Sequence, residues 1–104
     1  MKIFRVVVRG HFDGLGDGDR RMLLDHAADH DIMRSAFTRE GTFTYDTQLV
    51  AFNYRYEVRH TDPAPDEDTI GRAAIDRACA DLTFRGLTAK HLRATVTDMA
   101  SVWS

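Results

Sequence analysis

Pairs of arginines four positions apart occur in two segments of the chain whose side chains follow a period of two. Arg5 and Arg9 lie in the first segment, residues 2–12, and Arg55 and Arg59 lie in the second, residues 49–59. A period of two is typical of a β-strand with one buried face, so the arginines are predicted to share the opposite, polar face. Guanidinium groups bind carboxylates, phosphates and phenolates through paired hydrogen bonds. We therefore predict a site for a small anionic or phenolic molecule, with the ligand-binding residues Arg5, Arg9, Arg55, Arg93 and Trp103.

Two further polar residues could act on such a ligand. His11 falls at the end of the first strand, and its imidazole can exchange a proton near neutral pH. Asn53 lies on the polar side of the second segment and could polarise a bound oxygen. His11 and Asn53 are the predicted catalytic residues, although a histidine at a strand end is more often an ordinary surface residue.

Other arrangements of the same residues compete with a ligand site. The polar face could be a solvated surface with cross-strand ion pairs, each worth about 0.2–1 kcal/mol. His26 and His30 have the spacing of a helical metal pair, but no third ligand is evident, so neither a metal nor a cofactor is predicted. Cys79 falls on the apolar stripe of a predicted helix and is expected to be packed and inert.

The secondary-structure pattern follows the order strand, helix, strand, strand, helix, strand. The predicted strands cover residues 2–12, 42–45, 49–59 and 91–99, and the predicted helices cover about 19–30 and a segment that begins near Asp66 and stops before Gly86. This order predicts an α+β fold, namely a ferredoxin-like βαββαβ plait: a four-stranded antiparallel sheet with two helices on one face. Strands 1 and 3 would be central, and the second sheet face would be left open.

Composition limits the classes of partner and location. With 104 residues and 43% hydrophobic residues, the chain is predicted to be a single domain over 1–104. A net charge of −2 argues against nucleic acid as a partner, and no apolar run suits a membrane span. We expect a cytoplasmic protein, because the sequence shows no membrane span. We also expect a homodimer, because plait domains often cover their open sheet face by pairing.

Three stretches of the chain resemble sequences of a known protein family. They are FRVVVRG at 4–10 with Phe12, AFT at 36–38 with GTFTYD at 41–46, and Thr95 with TDMA at 97–100. Together they resemble a family of short, single-domain actinobacterial proteins of unknown function, which implies no activity. More loosely, the chain is similar to the dimeric α+β barrel proteins, which include cofactor-independent monooxygenases and cyclases. That similarity implies an alternative to simple binding, a cofactor-independent monooxygenase, cyclase or isomerase with His11 as base. A further alternative is a protein-interaction module without a ligand, whose open face or C-terminal tail contacts another protein.

Overall fold

The computed structural model of the chain describes residues 1–61 and 63–102. The predicted α+β class is confirmed, with one four-stranded antiparallel sheet and two main helices. Among the helices of these ranges, none is both long enough and apolar enough to span a membrane. The elements are β1 (Lys2–Phe12), α1 (Asp17–Asp25), β2 (Thr42–Tyr45), β3 (Ala51–His60), α2 (Glu67–Phe84), β4 (Ala89–Asp98) and α3 (Met99–Val102), with two 3-10 turns over Ala27–His30 and Ile32–Arg34.

The strands lie in the order β2-β3-β1-β4, and every neighbouring pair is antiparallel. β1 and β3 are therefore central, and they pair from Lys2 opposite His60 to His11 opposite Ala51. Directly opposed residues of an antiparallel pair share a face of the sheet. This register brings the polar sides of both central strands onto one side, which we call the open face.

The other side of the sheet carries the hydrophobic core. Three consecutive inward residues of β3, namely Phe52, Tyr54 and Tyr56, are at most 2% exposed. β1 contributes alternating apolar residues because its period of two matches the pleat. The helices cover this side with small and branched residues. The core members from the helices are Leu23 of α1 and Ile70, Ala74, Ala78 and Leu82 of α2.

The phenol groups of β3 are tied to charged residues of α2. The Tyr54 hydroxyl donates a hydrogen bond to Oδ2 of Asp81 (2.5 Å), and the same oxygen accepts from Nε of Arg85 (2.7 Å). The guanidinium of Arg77 lies over the Tyr56 ring, 4.5 Å from its centroid. Burial, followed by the bond to Asp81, holds the pKa of Tyr54 far above its usual value. Burial likewise raises the pKa of Tyr56 to about 12.

The first helix is shorter than the sequence predicts. We expected it to reach His30, but α1 ends at Asp25 and His26 is its C-terminal cap. The chain beyond it forms a 3-10 turn over Ala27–His30. Asp25 and Asp29 bring negative charge to the negative end of the helix dipole, which disfavours further α-helical turns. The last turn of α1 also contains no basic residue that would offset them.

The second helix has the predicted start and stop. The Asp66 side chain accepts a hydrogen bond from the Thr69 N–H (2.8 Å), which caps the N-terminus. Gly86, just past the end of α2, has φ +75°, a value that suits glycine. The prediction for Cys79 is wrong, because this residue is exposed. Its neighbour Ala78 takes the buried position, and the next residue along an α-helix is turned about 100° away.

Candidate functional site

The open face consists of rows of residues that lie opposite one another across the strands. One row runs from Thr44 of β2 through Asn53 of β3 and Arg9 of β1 to Arg93 of β4. The row therefore begins with a hydroxyl, continues with an amide and ends with two guanidinium groups. Sequence periodicity predicts the last three of these, whereas Thr44 was not identified as a candidate.

A segment of the chain covers part of this face. After α1, residues 26–38 pass along the outer edge of β2 and on to the open face. The His30 Nδ1 lies 2.8 Å from the carbonyl oxygen of Phe43, on the edge strand. Thr38 then forms an isolated parallel bridge with Tyr56, and its carbonyl accepts from the Glu57 N–H (2.8 Å). We call residues 26–38 the edge segment.

The edge segment and the open face enclose a cleft of about 590 Å³. One wall is apolar, formed by Ala27, Ala28 and Ile32 of the edge segment. The floor is the sheet itself, where the row of polar residues described above begins. The polar residues of that row which line the cleft are Arg9, Thr44 and Asn53.

Thr44 is the unusual member of this lining. It is 2% exposed, and its Oγ1 is buried without a hydrogen-bond partner in the described part of the chain. A buried hydroxyl left without a partner costs about 1–3 kcal/mol, and most such groups in native proteins are satisfied. Its neighbour across the strands, Asn53, is half-buried and offers both a donor and an acceptor. Thr44 and Asn53 therefore place an unpartnered hydroxyl and a partly exposed amide next to each other at the floor of the cleft.

Two carboxylates also line the cleft, but both are engaged by nearby backbone. Asp31 accepts a hydrogen bond from the Met33 N–H (2.8 Å). Asp46 accepts from the N–H groups of Gln48 and Leu49, each at 3.1 Å. Bonds of this kind compensate part of the negative charge. Arg9 has no ion pair within residues 1–61 and 63–102, so its guanidinium is available to an anion.

The other two predicted arginines of the central strands meet at an aromatic ring that the prediction did not include. The guanidinium carbons of Arg5 and Arg55 lie 5.0 and 5.5 Å from the centroid of the Phe37 ring. The Nε of Arg55 is buried and has no hydrogen-bond partner in the described ranges. Phe37 belongs to a stretch without periodicity, so nothing in its local sequence indicates that it reaches the open face. The four predicted arginines are thus divided: Arg9 lines the cleft, Arg5 and Arg55 lie at Phe37, and Arg93 belongs to neither group.

The remaining predicted site residues lie elsewhere. His11 lies opposite Ala51, which does line the cleft, but the His11 ring packs edge-on against His91 with centroids 5.8 Å apart. Arg93 is exposed on the edge strand, opposite Arg9. Trp103 lies outside the described residues.

The two histidines of the suspected metal pair do not share an α-helical face, because α1 ends before His26. The Nδ1 of His26 lies 3.9 Å from Oδ2 of Asp29. The His30 ring stacks on the Tyr45 ring, with centroids 5.3 Å apart. No group of three or more potential metal ligands occurs among the residues that the structure describes.

Comparison with known proteins matches the chain to a protein-family model. No curated protein matches the chain, and no solved structure does. The match is to a family model that spans residues 1–103, which is nearly the entire chain and includes both the cleft and the Phe37 group. By this match, the chain belongs to a family of unknown function, DUF6204.

Proposed function

We propose that the protein binds a small anionic or phenolic molecule in the cleft between the edge segment and the open face. The observation that carries this proposal is the Thr44 hydroxyl, buried at the floor of the cleft without a partner in the described part of the chain. A ligand oxygen that bonds to it would remove the cost of leaving it unsatisfied. Asn53 would bond to the same end of the ligand, and Arg9 would bind its anionic group.

The shape of the cleft also suits a compact ring. Its volume of about 590 Å³ lies within the usual range for small-molecule sites. Apolar side chains on one wall and hydrogen-bonding groups on the floor would contact opposite parts of a flat, partly polar molecule. We propose binding rather than turnover because His11, the predicted base, is absent from the lining and packs on His91.

The test of this proposal uses 4-hydroxybenzoate as a probe, because it carries both a phenol and a carboxylate. We expect measurable binding by isothermal titration calorimetry, with Arg9→Gln weakening it by about 1.5–3 kcal/mol, the range for hydrogen bonds to charged groups. Thr44→Val should weaken it by about 1 kcal/mol, because the isosteric methyl removes only the hydroxyl. Native mass spectrometry of the purified protein would show in parallel whether a molecule is retained.

The matched control for Thr44→Val is Thr95→Val, an exposed threonine on the same face of the sheet. It should leave the affinity for 4-hydroxybenzoate unchanged. If Thr95→Val and Thr44→Val have equal effects, or if the wild-type protein binds neither the probe nor any co-purifying molecule, the cleft is not the site that we propose.

We also propose that the strand order β2-β3-β1-β4 belongs to a ferredoxin-like plait and that the protein forms a homodimer. The antiparallel pairing throughout and the core on one side of the sheet support the plait. The dimer is supported by the half of the open face that the edge segment leaves uncovered, where Arg93, Thr95 and Thr97 are exposed. Native mass spectrometry measures the oligomeric state directly. The cytoplasmic location stays a prediction.

A further inference from the structure

We propose that Arg5, Arg55 and Phe37 form a second binding site, for a tetrahedral oxyanion of the phosphate type, either free or as a monoester. This site lies on the open face but is separate from the cleft. None of its three residues lines the cleft. Arg5 lies about 13 Å along β1 from Arg9, and Arg55 lies about 7 Å along β3 from Asn53. The inference therefore does not rest on the function proposed for the cleft.

The first argument is charge. Two guanidinium groups lie within 5.5 Å of one ring centroid, and neither has an ion pair with a carboxylate in the described ranges. One carboxylate of the same face, Glu57, lies opposite Arg5 in the sheet register. Its Oε1 instead accepts from Nε of Arg59 at 2.6 Å. Two positive charges therefore lie at one ring without an ion-pair partner among the residues described, and a dianion bound there would neutralise both.

The second argument is the buried Nε of Arg55. This donor is removed from solvent and has no acceptor in the described part of the chain, which is a costly arrangement for a charged group. A phosphate-type group carries several acceptor oxygens and binds arginine through two parallel hydrogen bonds. Arg55 is only partly buried, so an anion would bind its outer N–H groups and would reach Nε after a small shift of the side chain.

The third argument is that Phe37 is held firmly from both sides. The Thr42 hydroxyl donates to the carbonyl oxygen of Ala36 (2.5 Å), just before Phe37. On the other side, Thr38 pairs with β3 through its bridge to Tyr56. The backbone on both sides of Phe37 is therefore anchored, and the ring contacts both guanidinium groups by cation–π interaction. Groups oriented in advance lose less conformational entropy when a ligand binds.

The test is isothermal titration calorimetry at low salt with inorganic phosphate and, separately, phenyl phosphate. We expect Arg5→Gln and Arg55→Gln each to weaken phosphate binding roughly tenfold, as expected for loss of one charged hydrogen bond. The control is Arg20→Gln, which removes the same charge from an exposed position on α1 and should change the affinity less than about twofold. Equal affinities for the two probes assign the site to the free anion, whereas tighter binding of phenyl phosphate assigns it to a monoester.

Three results would overturn the second site. One is that wild-type protein binds neither probe, and another is that Arg5→Gln has no more effect than Arg20→Gln. The third is that phosphate binding is lost with Thr44→Val but kept with Arg5→Gln, because the anion then enters the cleft. That last result would leave the function proposed for the cleft intact. Arg5 is exposed, so Arg5→Gln should fold normally even if Arg55→Gln does not.

Discussion

Replacing Gly41 with alanine is expected to destabilise the protein by about 3 kcal/mol or more, a large part of a typical domain's 5–15 kcal/mol. Gly41 has φ +93°, a backbone conformation that side chains rarely adopt. A Cβ at this position would also fall 2.6 Å from Cδ1 of the Tyr56 ring and closer still to Cε1. That ring is 2% exposed and stacks on Tyr54 with an interplanar angle of 5°, so it has little room to move.

The control is Gly14→Ala. Gly14 also has positive φ, at +64°, but no atom lies within 4 Å of the position that its Cβ would take. Gly14→Ala should therefore lower the free energy of unfolding only by the cost of a Cβ on a backbone with positive φ, about 1–2 kcal/mol. Urea unfolding of the two variants measures the free energy of unfolding of each. If the two substitutions cost the same, the contact of Gly41 with Tyr56 does not have the importance that the structure indicates.

The central strands were predictable because both their faces are encoded locally. β1 was predicted over residues 2–12 and is observed over Lys2–Phe12, and the aromatic side of β3 was correctly expected to be buried. Alternation along a strand determines which side chains face the core whatever packs against them. The same alternation places Arg5, Arg9, Arg55 and Asn53 on the open face, although their ligand-binding role stays a prediction.

The edge segment was not predictable in this way. Residues 31–38 follow neither a period of two nor one of 3.6, so the sequence assigns them to neither a strand nor a helix. Their positions depend on partners distant in the chain, such as Phe43 for His30 and Tyr56 for Thr38. The path of this segment determines two features of the proposed sites, namely the burial of the Thr44 hydroxyl and the position of the Phe37 ring. The sequence therefore predicts the face that carries the site better than the site itself.

The second large expected effect is a steep loss of stability above about pH 10. All three tyrosines have a pKa raised by burial: Tyr45, Tyr54 and Tyr56. In the unfolded chain, a tyrosine ionises near pH 10. The stabilisation from a raised pKa is complete below that pH, and it is lost as the pH rises toward the folded-state value. Each phenol that stays protonated only in the native state contributes a slope of up to about 1.4 kcal/mol per pH unit.

The measurement is urea unfolding at pH 7, 10 and 11, combined with the ultraviolet absorbance of phenolate. Native protein should show little phenolate signal up to about pH 11, and then a cooperative rise that coincides with unfolding, because Tyr56 ionises in the native state only near pH 12. A gradual rise in phenolate near pH 10 while the circular dichroism stays native would mean that the phenols reach solvent in the folded protein. That outcome would contradict the buried arrangement of β3 against α2.

The variant Tyr54→Phe makes this prediction specific to one hydroxyl. At pH 7 it should cost about 1 kcal/mol, because Asp81 loses the phenol donor but keeps Arg85. Above about pH 10 the variant should also lose stability less steeply with pH than the wild type. Phenylalanine has no proton to lose in the unfolded chain, so the contribution of Tyr54 to that loss is absent. The stability curves of wild type and variant should therefore converge near pH 11 and then cross. Parallel curves would mean that the Tyr54 hydroxyl contributes a hydrogen bond but no pH dependence, and its link to Asp81 would then need another explanation.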